Sequence, residues 1–335
     1  MPRLYPNFGA EEGDAPPVND PRPVLRHLLT AWERLFTANH AFSDVDDGHL
    51  VAWLNTPRAQ AEAQRAGLRL WGSPPETVDV VHDKAFCARV VAAHKLSPPG
   101  LLATITVIDP ADVDVDALAA ACVAPPTWPG AGVRGFAFKP RFGSSGRGRV
   151  DSRRSPSEWQ AALPRLKARG GVVVEPWFAR TLDLSAVWRI DDDGGLTLLG
   201  TTRAVVSGSG VWRAAELVVD DDGVPRSAVD GRVSSWDQRL VDDSRVVVEA
   251  AAAAGHRGPC GVDAFVCEGP DGAPLLRLVE LNARFTAGLV AVVLARALDR
   301  APPRSTLVFD PSTSPALISL GESKTRTSRS APPSE

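Results

Sequence analysis

Lysine is scarce in this chain. Only Lys84, Lys95, Lys139, Lys167 and Lys324 stand among its 37 basic residues; the rest are arginine. A rare lysine is a better candidate for work that needs a compact ammonium, and the surroundings of Lys84 and Lys139 single those two out. Excess charge is also missing. The net charge of −3 gives no basic field for nucleic acid or an anionic membrane, so neither is expected as a partner. Long apolar runs are absent: the most apolar stretch, 287–298, is interrupted by Arg296, which argues against a membrane span. The first residues, Met-Pro-Arg-Leu-Tyr-Pro-Asn, hold no apolar core of a secretory signal. Cysteine is sparse and scattered (Cys87, Cys122, Cys260, Cys267), with no CxxC pair and no histidine at ligand spacing. Reduced, buried thiols in a cytoplasmic protein are the expectation. There is no internal repeat. At 335 residues and 44% hydrophobic composition, the chain has room for about two domains of roughly 150 residues.

Hydrophobic spacing divides the chain in two. Residues 1–23 read as an extended lead-in rich in proline and acidic residues. Residues 24–42 carry Leu25, Leu28, Leu29, Trp32, Leu35 and Phe36 at helical spacing. A strand over 49–55, a helix from Pro57 to about Ala66 ending at Gly67, and a second strand over 68–71 complete a small α/β domain, residues 24–80. Residues 74–82 read as a connector and 83–94 as a helix with Lys84 in its first turn. A strand at 104–108, a short helix at 112–121 and a Pro/Gly turn cluster at 125–132 follow. Strands then dominate: 135–140, 171–175, 182–190, 196–205, 214–219, 261–267 and 275–282. Turn residues at 192–195, 221–223 and 269–272 separate several of them. Helices are expected at 156–169, bent or shortened by Pro164, at 237–254 and at 287–298. Residues 301–335 read as a disordered tail.

Three constellations carry candidate chemistry. In the first, a strand ends in Lys139 and enters a loop containing Gly143, Ser144, Ser145, Gly146 and Gly148. Glycines let successive backbone N–H groups converge on an anion, and Lys139 adds a point charge for a phosphate. The lysine precedes the glycines and no GK[ST] follows, so this is not a Walker loop. In the second, Val172-Val173-Val174-Glu175-Pro176-Trp177-Phe178 runs into a connector followed by Asp183. The Pro176 carbonyl and the Phe178 N–H suit a base-binding hinge near 175–178, and Asp183 suits ribose hydroxyls. In the third, Gly261 to Val266 and Leu275 to Arg284 form two strands about a turn. The hairpin can set Asp263 beside Glu280, and strand alternation puts Glu280, Asn282 and Arg284 on one side. Two carboxylates and an amide oxygen suit Mg²⁺, and Arg284 suits bidentate contact with an acyl phosphate or carboxylate. The strongly apolar flanks argue against a merely solvated ion pair.

In this order the three groups resemble the ATP-grasp superfamily, over roughly residues 80–300. The E-x-N-x-R element, Glu280-Leu281-Asn282-Ala283-Arg284, is its most diagnostic part. The resemblance implies an α/β (α+β) fold: an ATP-grasp domain of two β-rich lobes over residues 81–300, preceded by a short pre-ATP-grasp domain. It assigns Lys84, Lys139 and the Gly143–Gly148 loop to phosphates, Glu175 and Pro176–Phe178 to adenine, and Asp183 to ribose. Asp263, Glu280 and Asn282 become magnesium ligands, and Arg284, Lys139 and Arg203 the groups that hold transferring phosphate charge. ATP and Mg²⁺, with Mn²⁺ as a substitute, are the implied cofactors. The implied activity is an ADP-forming ligase that activates a small-molecule carboxylate as an acyl phosphate for attack by an amine. A kinase, a carboxylate–thiol ligase and a degenerate regulatory nucleotide-binding module stay open as alternatives, as does a homodimer. Two departures stand out: the N-terminal domain is short and shows only Asn7-Phe8-Gly9-Ala10 as a glycine turn, and Asp263 stands where several branches use Glu.

Overall fold

The computed structural model describes residues 1–8, 10, 23–38, 42–97, 106–108, 133–143, 149–151, parts of 155–170, 171–206, 212–269, 272–297, 306–312 and 317–320. The helix expected at 112–121, the turn cluster at 125–132 and most of the helix expected at 156–169 lie outside them. So do Ser144, Ser145, Gly146 and residues 321–335.

The N-terminal unit is a three-stranded parallel sheet, β1 (Arg3–Tyr5), β2 (His49–Ala52) and β3 (Arg69–Leu70), in that spatial order, with α1 (Pro23–Ala38) and α2 (Pro57–Arg65) in the crossovers. Thr56 caps α2 by accepting from the Ala59 N–H at 3.2 Å, Pro57 occupies its first position, and Gly67 ends it with φ +67°. The lead-in reading of residues 1–23 is corrected at β1: Arg3–Tyr5 is a sheet strand, and buried Tyr5 packs with Leu50 and Ala52. Three residues are too few to show a period. The connector expected at 74–82 is also corrected. It is α3 (Pro75–His82), with Pro75 in its first turn and Val78, Val81 and His82 buried. After it, α4 (Lys84–Ala93) starts at Asp83, whose carboxylate accepts from the Ala85 N–H at 2.9 Å.

Two larger sheets follow. β4 (Thr106–Ile108), β5 (Val133–Pro140), β6 (Val150–Asp151) and β7 (Val172–Phe178) make a four-stranded sheet in the order β4-β7-β5-β6. Ala179 alone separates β7 from β8 (Arg180–Ile190), which opens the nine-stranded sheet. That sheet continues with β9 (Leu196–Val206), β10 (Trp212–Val219), β11 (Pro225–Val229) and β12 (Arg232–Val233). Then come α5 (Asp237–Ala253), β13 (Gly258–Glu268), β14 (Pro274–Asn282), α6 (Ala287–Arg296), β15 (Thr306–Phe309) and β16 (Leu317–Leu320). The order is β12-β11-β10-β9-β8-β13-β14, with β15 paired to β10 and β16 to β15. The reading of 301–335 as a disordered tail is corrected at 306–309 and 317–320. Leu307 and Phe309 are fully buried, and the strand registers Ala215 with Phe309. Proline and serine between these short strands hid them.

Strand alternation explains the two cores. On β8, Leu184, Ala186, Trp188 and Ile190 face one way and join Leu240, Val241, Val247 and Val248 of α5. Val187, with opposite parity, joins the buried residues of α6 and α1 on the other side. Asp183 and Ser185 share Val187's parity. No helix among the described residues is long and apolar enough to cross a membrane.

Candidate active site

The β13–β14 hairpin registers Asp263 opposite Glu280 and Gly261 opposite Asn282. β8 extends the same line, with Ser185 opposite Asp263, and β9 adds Thr202 opposite Ser185. A transverse polar row therefore crosses four strands: Thr202, Ser185, Asp263, Glu280. The register shifts between Asp263 and Ala264, so that Ala264 meets Leu278 and Val279 is the extra residue of a β-bulge. Beyond the bulge, Phe265 meets Arg277. The bulge lets Arg277 and Glu280, an odd number of residues apart, share a face.

Side-chain contacts tie the row together. The Asn282 amide donates to Asp263 Oδ2 at 2.9 Å, and Arg284 Nη2 donates to Asn282 Oδ1 at 3.1 Å. Arg284 Nη1 donates to the Phe285 carbonyl at 2.9 Å. Asp263 also takes a hydrogen bond from Ser185. Burial and the neighbouring Glu280 charge push the Asp263 carboxyl up to about 6. Burial pushes Glu280 the same way, but Lys84 and then Lys139 overcome it and hold Glu280 ionised.

Lysines reach the row from outside the hairpin. Lys84 Nζ lies 3.0 Å from Glu280 Oε2 and donates to the Gly143 carbonyl at 2.7 Å. The start of α4 is docked there: the Lys84 N–H donates to the Arg141 carbonyl at 3.1 Å, and Arg141 pairs with the capping carboxylate of Asp83. Lys139, at the end of β5, forms an ion pair with Glu175 of β7, and both are buried. Burial opposes the Glu175 charge, but Lys139 and Arg277 win, and its carboxyl sits below the ordinary glutamate range. Pro176 and Phe178 are buried, and Trp177 is half-buried with Arg149 4.2 Å from its ring centroid. Asp183, opposite Phe265, pairs with Arg180 at 3.0 Å.

These contacts link Lys84, Glu280, Asp263, Asn282 and Arg284, and a second buried group joins Lys139, Glu175 and Arg277. Arg203 stands apart. It is paired with Glu216 of β10 at 2.9 Å and no described contact joins it to the row. Sequence reasoning passed over Ser185, Arg141, Arg180 and Arg277. Arg277 carried a visible signal, an arginine inside the apolar run Leu275-Leu276-Arg277-Leu278-Val279.

Among the described residues no three His, Cys, Asp or Glu side chains come together as a metal cluster. The candidate donor set is two carboxylates and one amide. That set fits Mg²⁺, which takes hard oxygen ligands and fills its remaining positions with phosphate and water.

The fold has solved counterparts. Biotin carboxylase from Campylobacter jejuni, solved as a β-γ-ATP complex, matches at TM-score 0.51 and 12% identity, covering 78% of this chain and 58% of that one. The biotin carboxylase domain of 2-oxoglutarate carboxylase from Hydrogenobacter thermophilus, a dimer solved with MgADP, ADP and bicarbonate, matches at 0.51 and 13%, covering 91% and 67%. A Rhizobium etli pyruvate carboxylase variant matches at 0.51 and 17%, covering 88% and 26%. The chain has the ATP-grasp fold these structures share. It spans just over half the length of the first and about a quarter of the third. No family model matches the chain, and no curated protein matches it in sequence.

Proposed function

We propose that the chain is an ATP- and Mg²⁺-dependent, ADP-forming ligase that activates a small-molecule carboxylate for attack by an amine. The observation that carries this reading is the facing of Asp263, Glu280, Asn282 and Arg284 by Lys84 on an ATP-grasp fold. Nucleotides in the structural counterparts support it. On this reading the small α/β unit is followed by a grasp domain over residues 81–300, and buried free thiols at Cys87, Cys260 and Cys267 suit the cytoplasm.

A carboxylate is a poor electrophile because its leaving group would be oxide. Transfer of the γ-phosphoryl group of ATP to a carboxylate oxygen gives an acyl phosphate, and ADP departs. The amine then attacks the carbonyl carbon, the C–O bond to phosphate breaks, and amide and phosphate remain. Phosphoryl transfer asks the protein for position and neutralised charge rather than a covalent nucleophile. Asp263, Glu280 and Asn282 would hold magnesium, which supplies charge neutralisation on phosphate oxygens when bound. Lys84 and Lys139 would exchange their carboxylate partners for phosphate oxygens. Glu175 and the Pro176–Phe178 backbone form the base-binding hinge, Asp183 the ribose contact, and Arg284 the contact to the transferred group.

The test is ADP release with Mg-ATP against pooled amino acids and other small carboxylates, with and without amines. ADP that appears only with carboxylate and amine together supports the ligase. Tight ATP binding with no ADP from any carboxylate would sink it and favour the regulatory module.

A further inference from the structure

Arg277 takes no part in the mechanism above, yet it lies against Glu175, a residue of the proposed hinge. Its side chain is 1% exposed, and its Nε and Nη1 have no hydrogen-bond partner among the described residues. Nη2 is 3.6 Å from Glu175 Oε2, an ion-pair distance too long for a good hydrogen bond. A guanidinium buried in this state is expensive unless something completes its donors.

Position says what that occupant is. Arg277 faces Phe265, and Asp183 faces Phe265 from the other side. Phe265 is two residues, about 7 Å, along β13 from Asp263. On the nucleotide-binding reading, a triphosphate at the carboxylate row would set its ribose at Asp183 and its base near this level. Two aromatic rings and two guanidinium groups lie here: Arg277 is 5.0 Å from the Phe178 ring centroid, Arg180 is 4.4 Å from that of Phe265, and the two rings are 5.9 Å apart. An aromatic wall beside a planar fork of unpaired donors fits a heterocycle with acceptor atoms on its edge.

We propose that Arg277 is a specificity-determining residue for the nucleobase, donating from Nε and Nη1 to acceptor atoms on the edge of a purine held at the β7 hinge. The inference rests on the nucleotide-binding reading above. Its donors come from the middle of β14, outside the hinge backbone that sequence reasoning pointed to.

Isothermal titration with Mg²⁺ and ATP, GTP or inorganic tripolyphosphate tests it, on the wild-type chain and on Arg277→Met and Arg277→Lys. Both variants should shift the ATP-to-GTP ratio of Kd by about tenfold or more, the loss expected for a charge-assisted hydrogen bond. Tripolyphosphate, which has no base, should bind all three proteins within about twofold. Arg277→Lys keeps the charge beside Glu175, so it carries the test if the Met variant fails to fold. Equal loss for all three ligands, or an unchanged ratio, overturns the base-reading role and leaves nucleotide binding standing. A wild-type chain that binds neither nucleotide overturns both readings.

Discussion

Between β14 and α6 the backbone passes from one environment to its opposite within two residues. Arg284 belongs to the polar row, bonded to Asn282 and through it to Asp263. Phe285 is 1% exposed, with Trp32, Phe36, Phe42, Trp53 and Trp71 around it at ring-centroid distances of 5.3 to 6.2 Å. Its N–H donates to the Trp53 carbonyl at 3.1 Å. The aromatic side is buried, with edge-on and tilted ring contacts, and is drawn largely from the N-terminal unit. The other side is polar and holds the Lys84–Glu280 and Lys139–Glu175 ion pairs. The difference teaches a division of labour: the small unit fixes the end of the diagnostic E-x-N-x-R segment, leaving the charged groups free to change partners.

Four substitutions or conditions would sharpen or break that division. Phe285→Ala should cost the most stability, about 3–5 kcal/mol for a buried Phe truncated to Ala, read by denaturant unfolding. A loss under about 1 kcal/mol would mean the aromatic cluster is not the anchor described. Glu280→Gln should do the reverse. Magnesium-dependent ADP formation should fall by roughly 10²–10³-fold, as when a charge-stabilising group is removed, while the melting temperature holds. Activity left unchanged would break the metal assignment.

The third test lies outside both sides. His256, at the turn into β13, is 2% exposed, and burial holds its pKa down at about 4 against 6.5 unfolded. Its folded value is depressed, so the unfolded state binds the extra proton. Stability is present above pH 6.5 and is lost as pH falls toward 4, by up to about 3 kcal/mol. His256→Leu should flatten that segment of a stability–pH curve, and an equally steep curve in the variant would assign the loss to other groups. The smallest effect belongs to Arg203→Met. A part-exposed pair with Glu216 is worth at most about 1 kcal/mol, and ADP formation should change little. A loss of activity as large as that of Glu280→Gln would bring Arg203 back into the site, where the sequence had placed it.

What could be read from the sequence followed from periodicity and from charge in apolar surroundings. The β13–β14 hairpin, with Asp263 against Glu280, was legible because two apolar runs flank a turn and carboxylates inside such runs stand out. α4 and its Lys84 were legible from helical spacing after Asp83. β1, β15 and β16 were not, since three or four residues carry no period and proline or serine surrounds them. α3 was hidden by Pro74 and Pro75, which read as a connector although proline is at home in a first helical turn. The bulge at Val279 was invisible because alternation assumes a regular pleat. That assumption also concealed the partnership of Arg277 with Glu175, and no composition signal reveals that Trp32, Trp53 and Trp71 converge on one phenylalanine.

The bulge makes this hairpin unequal in its tolerance of length changes. A residue gained or lost in the Gly269–Gly272 turn lies beyond both Arg277 and Glu280, and can be absorbed there without disturbing either. A residue lost between them would restore regular alternation and turn one of the two to the opposite face of the sheet. Homologues that keep this chemistry should therefore vary freely in turn length yet hold the spacing from Arg277 to Glu280 constant. That spacing, more than either residue taken singly, is the signature by which kindred chains could be recognised.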